Sequence, residues 1–120
     1  MKSDSIYIEH ILNSINSIQE YISGLSLETF LEDRKTQDAV VRQFEIIGEA
    51  TKRISQDFRD ENPDIPWSQM AGMRDVLIHD YIDINFEIVW KTANENIQIL
   101  KEAILNLWFG RPHNRENHDF

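Results

Sequence analysis

The chain reads as an all-α, up-and-down bundle of four main helices plus short helical elements. Two observations predict it: apolar residues recur every three or four positions along four stretches, and no alternating strand pattern, internal repeat or low-complexity block competes with them. A third concerns size. At 120 residues, 41% hydrophobic and 28% charged, the chain suits one domain around one core.

The first stretch runs through Ile8, Ile11 or Leu12, Ile15, Ile18 and Ile22 and stops at Gly24. A short element follows around residues 26–33. The second stretch puts Val40, Phe44, Ile47, Thr51, Ile54 and Phe58 on one face, with Arg42, Glu45, Glu49, Lys52 and Arg53 elsewhere. Gly48 inside it costs about 1 kcal/mol relative to Ala, which suggests a close helix crossing there. Pro63 and Pro66 punctuate the chain before a shorter helix from about Trp67 to His79, with Met70, Met73, Val76 and Leu77 as its buried side. A break follows near Tyr81 to Asn85, where Asp83 or Asn85 can cap the next helix. The last stretch repeats through Phe86, Val89, Ala93, Ile97, Leu100, Ile104 and Leu107. Residues 111–120 are polar and aperiodic, so the reading is a helical domain over 1–110 and a loose tail over 111–120.

Composition excludes several classes. There is no cysteine, which removes disulfides and thiolate metal sites and fits a reducing compartment, so the cytoplasm is expected. No run of about eighteen apolar residues occurs, and neither a membrane span nor a signal peptide is expected. Twelve basic residues against 21 acidic ones give a net charge of −9, which disfavours long tracking along a phosphate backbone. Any nucleic-acid contact should be compact and local.

The segment Arg74-Asp-Val-Leu-Ile-His79-Asp-Tyr81 is the place where chemistry concentrates. An arginine that can clamp a phosphate, a histidine that can move protons and a tyrosine hydroxyl within a turn suit a phosphodiester site that needs no metal. Near a helix C-terminus, His79 would feel the dipole together with Asp75 and Asp80, all favouring its protonated form. Arg74 and His79 are five apart, about 140° around a helix, so one straight helix cannot aim both at one atom. Either the helix unwinds near His79, or a second copy completes the site across a two-fold axis. The plainer reading pairs Arg74 with a carboxylate, has His79 cap carbonyls and half-buries Tyr81. Asp75, His79 and Asp83, each four apart, would make a metal stripe but lack a fourth ligand.

Other candidates are blander. Trp67, Trp90 and Trp108 read as core or interface anchors rather than base-stacking platforms. His113 and His118 fall in the tail. Glu49 and Arg53 form an i, i+4 pair, so Glu45 and Glu49 read as a solvated face. No glycine loop suited to cradling phosphates is present.

Taken together the residues resemble a known family, the HepT-like toxins of the HEPN superfamily. The resemblance rests on Ala39-Val-Val-Arg-Gln-Phe-Glu-Ile-Ile-Gly-Glu-Ala50, on Pro63-Asp-Ile-Pro-Trp67, on Met73-Arg-Asp-Val-Leu-Ile-His-Asp-Tyr81 and on Val89-Trp90, and spans about residues 5–108. It implies a helical two-fold dimer in which two Arg-x4-His motifs face a shared cleft that cleaves RNA without metal or other cofactor. Arg74 and His79 match the catalytic pair, and Asp75 matches the polar residue after the arginine. The resemblance also implies a type VII toxin–antitoxin pair, in which a minimal nucleotidyltransferase antitoxin of the MntA type transfers AMP to Tyr81. The rival expectation is a non-catalytic subunit that binds a nucleotide or a nucleotidyltransferase. The apolar stripes and three tryptophans are the expected source of the dimer interface.

Overall fold

The computed structural model describes residues 2–79 and 84–107, and side chains within that span except at 2–3 and 74–79. Every regular element among the described residues is helical, without a strand: α1 (Lys2–Ile22), α2 (Leu27–Leu31), α3 (Arg34–Arg53), α4 (Gln56–Glu61), α5 (Trp67–His79), α6 (Phe86–Lys91), a π turn (Thr92–Asn96) and α7 (Ile97–Leu105).

The periodicity of α1 becomes a seam. Ile8, Ile11, Ile15, Ile18 and Ile22 are all buried, with Ile11 rather than Leu12 taking the inner position. Helix α1 ends where expected, with Gly24 at φ +79°, a conformation that favours glycine. Ser26 then caps α2 in a capping box with Thr29: the Thr29 N–H donates to Ser26 Oγ at 3.2 Å and the Ser26 N–H to Thr29 Oγ1 at 2.8 Å. Asp33 starts α3, its carboxylate accepting from the Thr36 N–H at 3.0 Å and the Thr36 hydroxyl at 2.6 Å. Buried Gln37 ties the two helices by donating to the Phe30 and Leu31 carbonyls at 2.9 and 3.0 Å. Gly48 is buried in α3, which packs against both α1 and α5, as its place mid-helix suggests.

The second stretch departs from the sequence reading by breaking after Arg53. Ile54 turns extended and Ser55 caps a separate α4, its Oγ accepting from the Phe58 N–H. The cause is remote: the buried Asp4 carboxylate takes the Ser55 N–H and hydroxyl, each at 2.8 Å, so that N–H does not continue the α3 ladder. Arg59 Nη2 donates to the Thr51 carbonyl at 2.7 Å and satisfies the exposed helix end.

The turn over 62–66 is organised by Asn62, whose side chain donates to the Phe58 carbonyl and whose own carbonyl accepts the Trp67 indole N–H at 2.9 Å. Helix α5 begins directly after Pro66, whose carbonyl accepts the Met70 N–H at 3.0 Å. Asn85, not Asp83, is the cap of α6 that the described residues show, accepting from the Glu87 and Ile88 N–H groups. The last stretch is interrupted by the π turn, yet Val89, Ala93, Ile97, Leu100, Ile104 and Leu107 are all buried as the spacing predicts. Gln19 joins this arm to α1 through Gln98 and Lys101. Asp83, Trp108 and residues 111–120 lie outside the described residues.

Candidate functional site

Helix α5 is unbroken from Trp67 to His79. Arg74, Asp75 and His79 therefore share one helical backbone, and positions 74 and 79 stand about 140° apart and about 7.5 Å along the axis. The register says more. Position 74 falls in line with Trp67 and Met70, both buried, while position 79 falls seven residues past Gly72, almost directly above it. Gly72 has open space beside it among the described residues: a Cβ built there would meet none of their atoms within 4 Å. The two motif positions thus lie on different sides of α5, one continuing the bundle-facing row and one continuing the row with free space. The side chains of 74–79 and all of Tyr81 lie outside the described residues.

Beside α5 run two clefts of about 450 and 310 Å³ that share Gln69, Met73 and Thr92. They form one trough between α5 and the α6–π-turn arm, lined on α5 by Gln69, Met70, Gly72 and Met73 among the described residues. Its floor includes Met70, Phe44 and Val89, its polar groups are Asp64, Gln69, Thr92 and Asn96, and Ile88 and Ile99 stand at its rim. The π turn supplies Thr92 and Asn96, a placement the uninterrupted periodicity of the sequence concealed.

A separate groove of about 540 Å³ lies between α1 and α3, lined by Tyr7, His10, Arg42, Glu45, Glu49 and Arg53. Its charges compensate one another: Arg42 lies 3.8 Å from Glu45 and Arg53 lies 3.6 Å from Glu49. A hydrogen bond with Tyr7, with the charges of Tyr7 and Glu49 adding to it, raises the Arg53 guanidinium pKa above its ordinary value. The i, i+4 spacing showed Glu49–Arg53 in the sequence; the link to Tyr7 on another helix had no local signal.

Of the tryptophans expected as core or interface anchors, the two described ones take the core role. Trp67 is buried with its N–H satisfied and its ring 6.1 Å from Phe58, and Trp90 packs 5.2 Å from Phe30. Both belong to the chain's own packing. Among the described residues no three His, Asp or Glu side chains are grouped to hold a metal.

A family model described as ribonuclease HepT-like matches residues 11–107. The chain belongs to that family. Among its relatives, a probable ribonuclease HepT of Thermococcus cleftensis is 47% identical over 100 residues, covering 83% of this chain and 91% of the relative. A putative RNase of Caldanaerobacter subterraneus subsp. tengcongensis is 40% identical over 104 residues, covering 87% and 93%. A Methanocaldococcus jannaschii protein named as a gamma-glutamylcyclotransferase and putative RNase is 39% identical over 116 residues, covering 97% of this chain and 52% of its own length. No solved structure matches. The HepT-like span contains all of α5, so the family match takes in the Arg74-x4-His79 segment.

Proposed function

We propose that this chain is a metal-independent endoribonuclease toxin acting in the cytoplasm as a two-fold dimer. The observation that carries the reading is the HepT-like match across residues 11–107, joined by relatives whose names are ribonuclease or RNase. In this reading Arg74 holds the scissile phosphate of an RNA strand. His79 gives or takes the proton at a reacting oxygen, and Asp75 supports the pair. The separation of positions 74 and 79 on one continuous helix supports a cleft shared by two copies. Tyr81 is the acceptor for AMP from an MntA-type nucleotidyltransferase antitoxin, and each added phosphate would compete with RNA for Arg74.

The test is direct. Purified protein is incubated with labelled RNA and excess chelator, wild type beside His79→Ala. Wild type should cleave, and the variant should lose at least about 10²-fold in rate, the usual worth of a positioned acid or base. Cleavage undiminished in His79→Ala, or absent from the wild type, would overturn the assignment.

A further inference from the structure

We propose that Asp4, outside the motif and on another helix, is a positioning residue for the Arg74-x4-His79 segment: it fixes where α5 begins and how α5 is turned. The inference rests on the reading above, in which Arg74 and His79 act on RNA.

The corner between α3 and α4 carries the argument. Val40, Phe44, Ile47, Thr51, Ile54 and Phe58 keep one helical spacing across it, so the local sequence favours a single long helix. Neither glycine nor proline lies between Arg53 and Gln56 to impose a break. The chain turns there because the Asp4 carboxylate takes both the Ser55 N–H and the Ser55 hydroxyl, each at 2.8 Å. Asp4 is 1% exposed, and a buried carboxylate, an acceptor only, is costly unless such charge-assisted bonds hold it. With its hydroxyl proton committed to Asp4, Ser55 Oγ keeps its lone pairs for the Phe58 N–H, the cap of α4.

From Ser55 the constraint runs to α5 through consecutive partners. The Phe58 carbonyl accepts from the Asn62 side-chain amide at 2.9 Å. Buried Asn62 in turn offers its own carbonyl to the Ile65 N–H at 3.2 Å and the Trp67 indole N–H at 2.9 Å. The Phe58 and Trp67 rings also meet edge to face, 6.1 Å apart. Only residues 62–66 separate α4 from α5, so the direction of α4 decides where α5 starts. The indole reaches the Asn62 carbonyl for one rotation of α5 about its axis, and position 74, seven residues past Trp67, lies within about 20° of the same row. Turning α5 by one residue, about 100°, would carry position 74 off that row. Asp4 thus acts on the motif through Ser55, α4 and Asn62 rather than on RNA.

Two readouts in the full chain test this: exchange of the Trp67 indole N–H, identified by its loss in Trp67→Phe, and RNA cleavage. Asp4→Ala should speed the indole exchange by about tenfold or more, the order of a lost hydrogen bond to a charged group, and should slow cleavage by a similar factor. The backbone N–H groups of Ile15 and Phe44, in the core, should change less. Asp4→Asn, whose amide can still accept the Ser55 N–H and donate to its hydroxyl oxygen, should restore most of both. Trp67→Phe keeps the ring and loses the donor, so it too should slow cleavage. Effects at separate sites ordinarily multiply in rate, whereas members of one relay do not, so the Asp4→Ala/Trp67→Phe double variant should cleave no more slowly than the slower single one. Where Asp4→Ala does not fold, Ser55→Ala, which keeps the N–H bond and loses the hydroxyl, makes the same comparison. Unchanged indole exchange, exchange accelerated equally throughout α1 and α3, or losses that multiply in the double variant would overturn the proposal. Exchange needs no RNA: a wild type that does not cleave, with indole exchange still governed by Asp4, would overturn the catalytic reading and leave Asp4 as the residue that places α5.

Discussion

At the scale of single residues, the motif positions differ in what their substitution reports. Position 79 continues the open row above Gly72, so His79→Ala should abolish RNA cleavage and growth inhibition while leaving the thermal midpoint within about 2 °C, as expected away from the core. Position 74 continues the row of buried Trp67 and Met70, so Arg74→Ala separates two roles. As a phosphate clamp it should lose activity with the fold intact; a midpoint falling by more than about 5 °C would make Arg74 a structural residue. Tyr81→Phe keeps the ring and removes the acceptor oxygen. Co-expressed with the cognate nucleotidyltransferase, wild type should gain the mass of one or more AMP units at Tyr81, and Tyr81→Phe should gain none and stay toxic. An adduct mapped elsewhere, or neutralisation without any adduct, would refute the assignment. These residues were legible in the sequence because their chemistry is carried by type and spacing. Gly72, Ile88 and Ile99 were not, since only packing distinguishes an exposed apolar residue from a core one.

At the scale of elements, legibility followed the range of the interactions that set each boundary. Gly24, the Ser26 capping box and Asn85 act within three or four residues, and the sequence placed a stop, a short element and a cap at those points. The break between α3 and α4 depends on Asp4, 51 residues from Ser55, and the periodicity through Ile54 and Phe58 ran straight across it. The π turn was equally hidden, because one widened turn shifts the apolar pattern by less than the pattern's own tolerance. Asp33 allows a test at this scale. Its carboxyl is held below the ordinary aspartate range, first by the Thr36 hydroxyl and then by the Thr36 N–H. A depressed folded-state pKa contributes stability that is present above the unfolded value and lost as pH falls through the folded one. Thermal midpoints should thus fall less steeply below about pH 4 for Asp33→Asn than for wild type, because the amide still caps α3 but no longer titrates. Parallel curves for the two proteins would show that the cap contributes nothing to acid lability.

At the scale of the whole molecule, the core and the charge make separate demands. The isoleucine seam of α1 and the inner face of α3 were readable because a buried stripe at helical spacing has few alternatives. Phe44→Ala should accordingly cost about 3–5 kcal/mol in denaturant unfolding, through lost burial and a residual cavity, and a value under about 1 kcal/mol would mean that the neighbouring helices collapse into the space. Charge bears on function instead. A chain of −9 doubles that charge as a dimer, so its general field opposes an RNA strand and only local cations can hold it. Two arginines at a shared cleft would neutralise about two phosphates, whereas a basic nuclease tracking the backbone neutralises many more. Salt then acts in opposite directions: it weakens the few arginine–phosphate contacts and screens the repulsion of the acidic surface. The logarithm of RNA affinity against the logarithm of salt, measured with His79→Ala to prevent cleavage, should have a slope no steeper than about −2, near −0.7 per phosphate for a single strand. Arg74→Ala in that background should flatten it further. A slope of about −5 or steeper would require several more phosphate contacts than two copies of Arg74 can make, and would move the principal RNA contact away from the Arg74-x4-His79 segment.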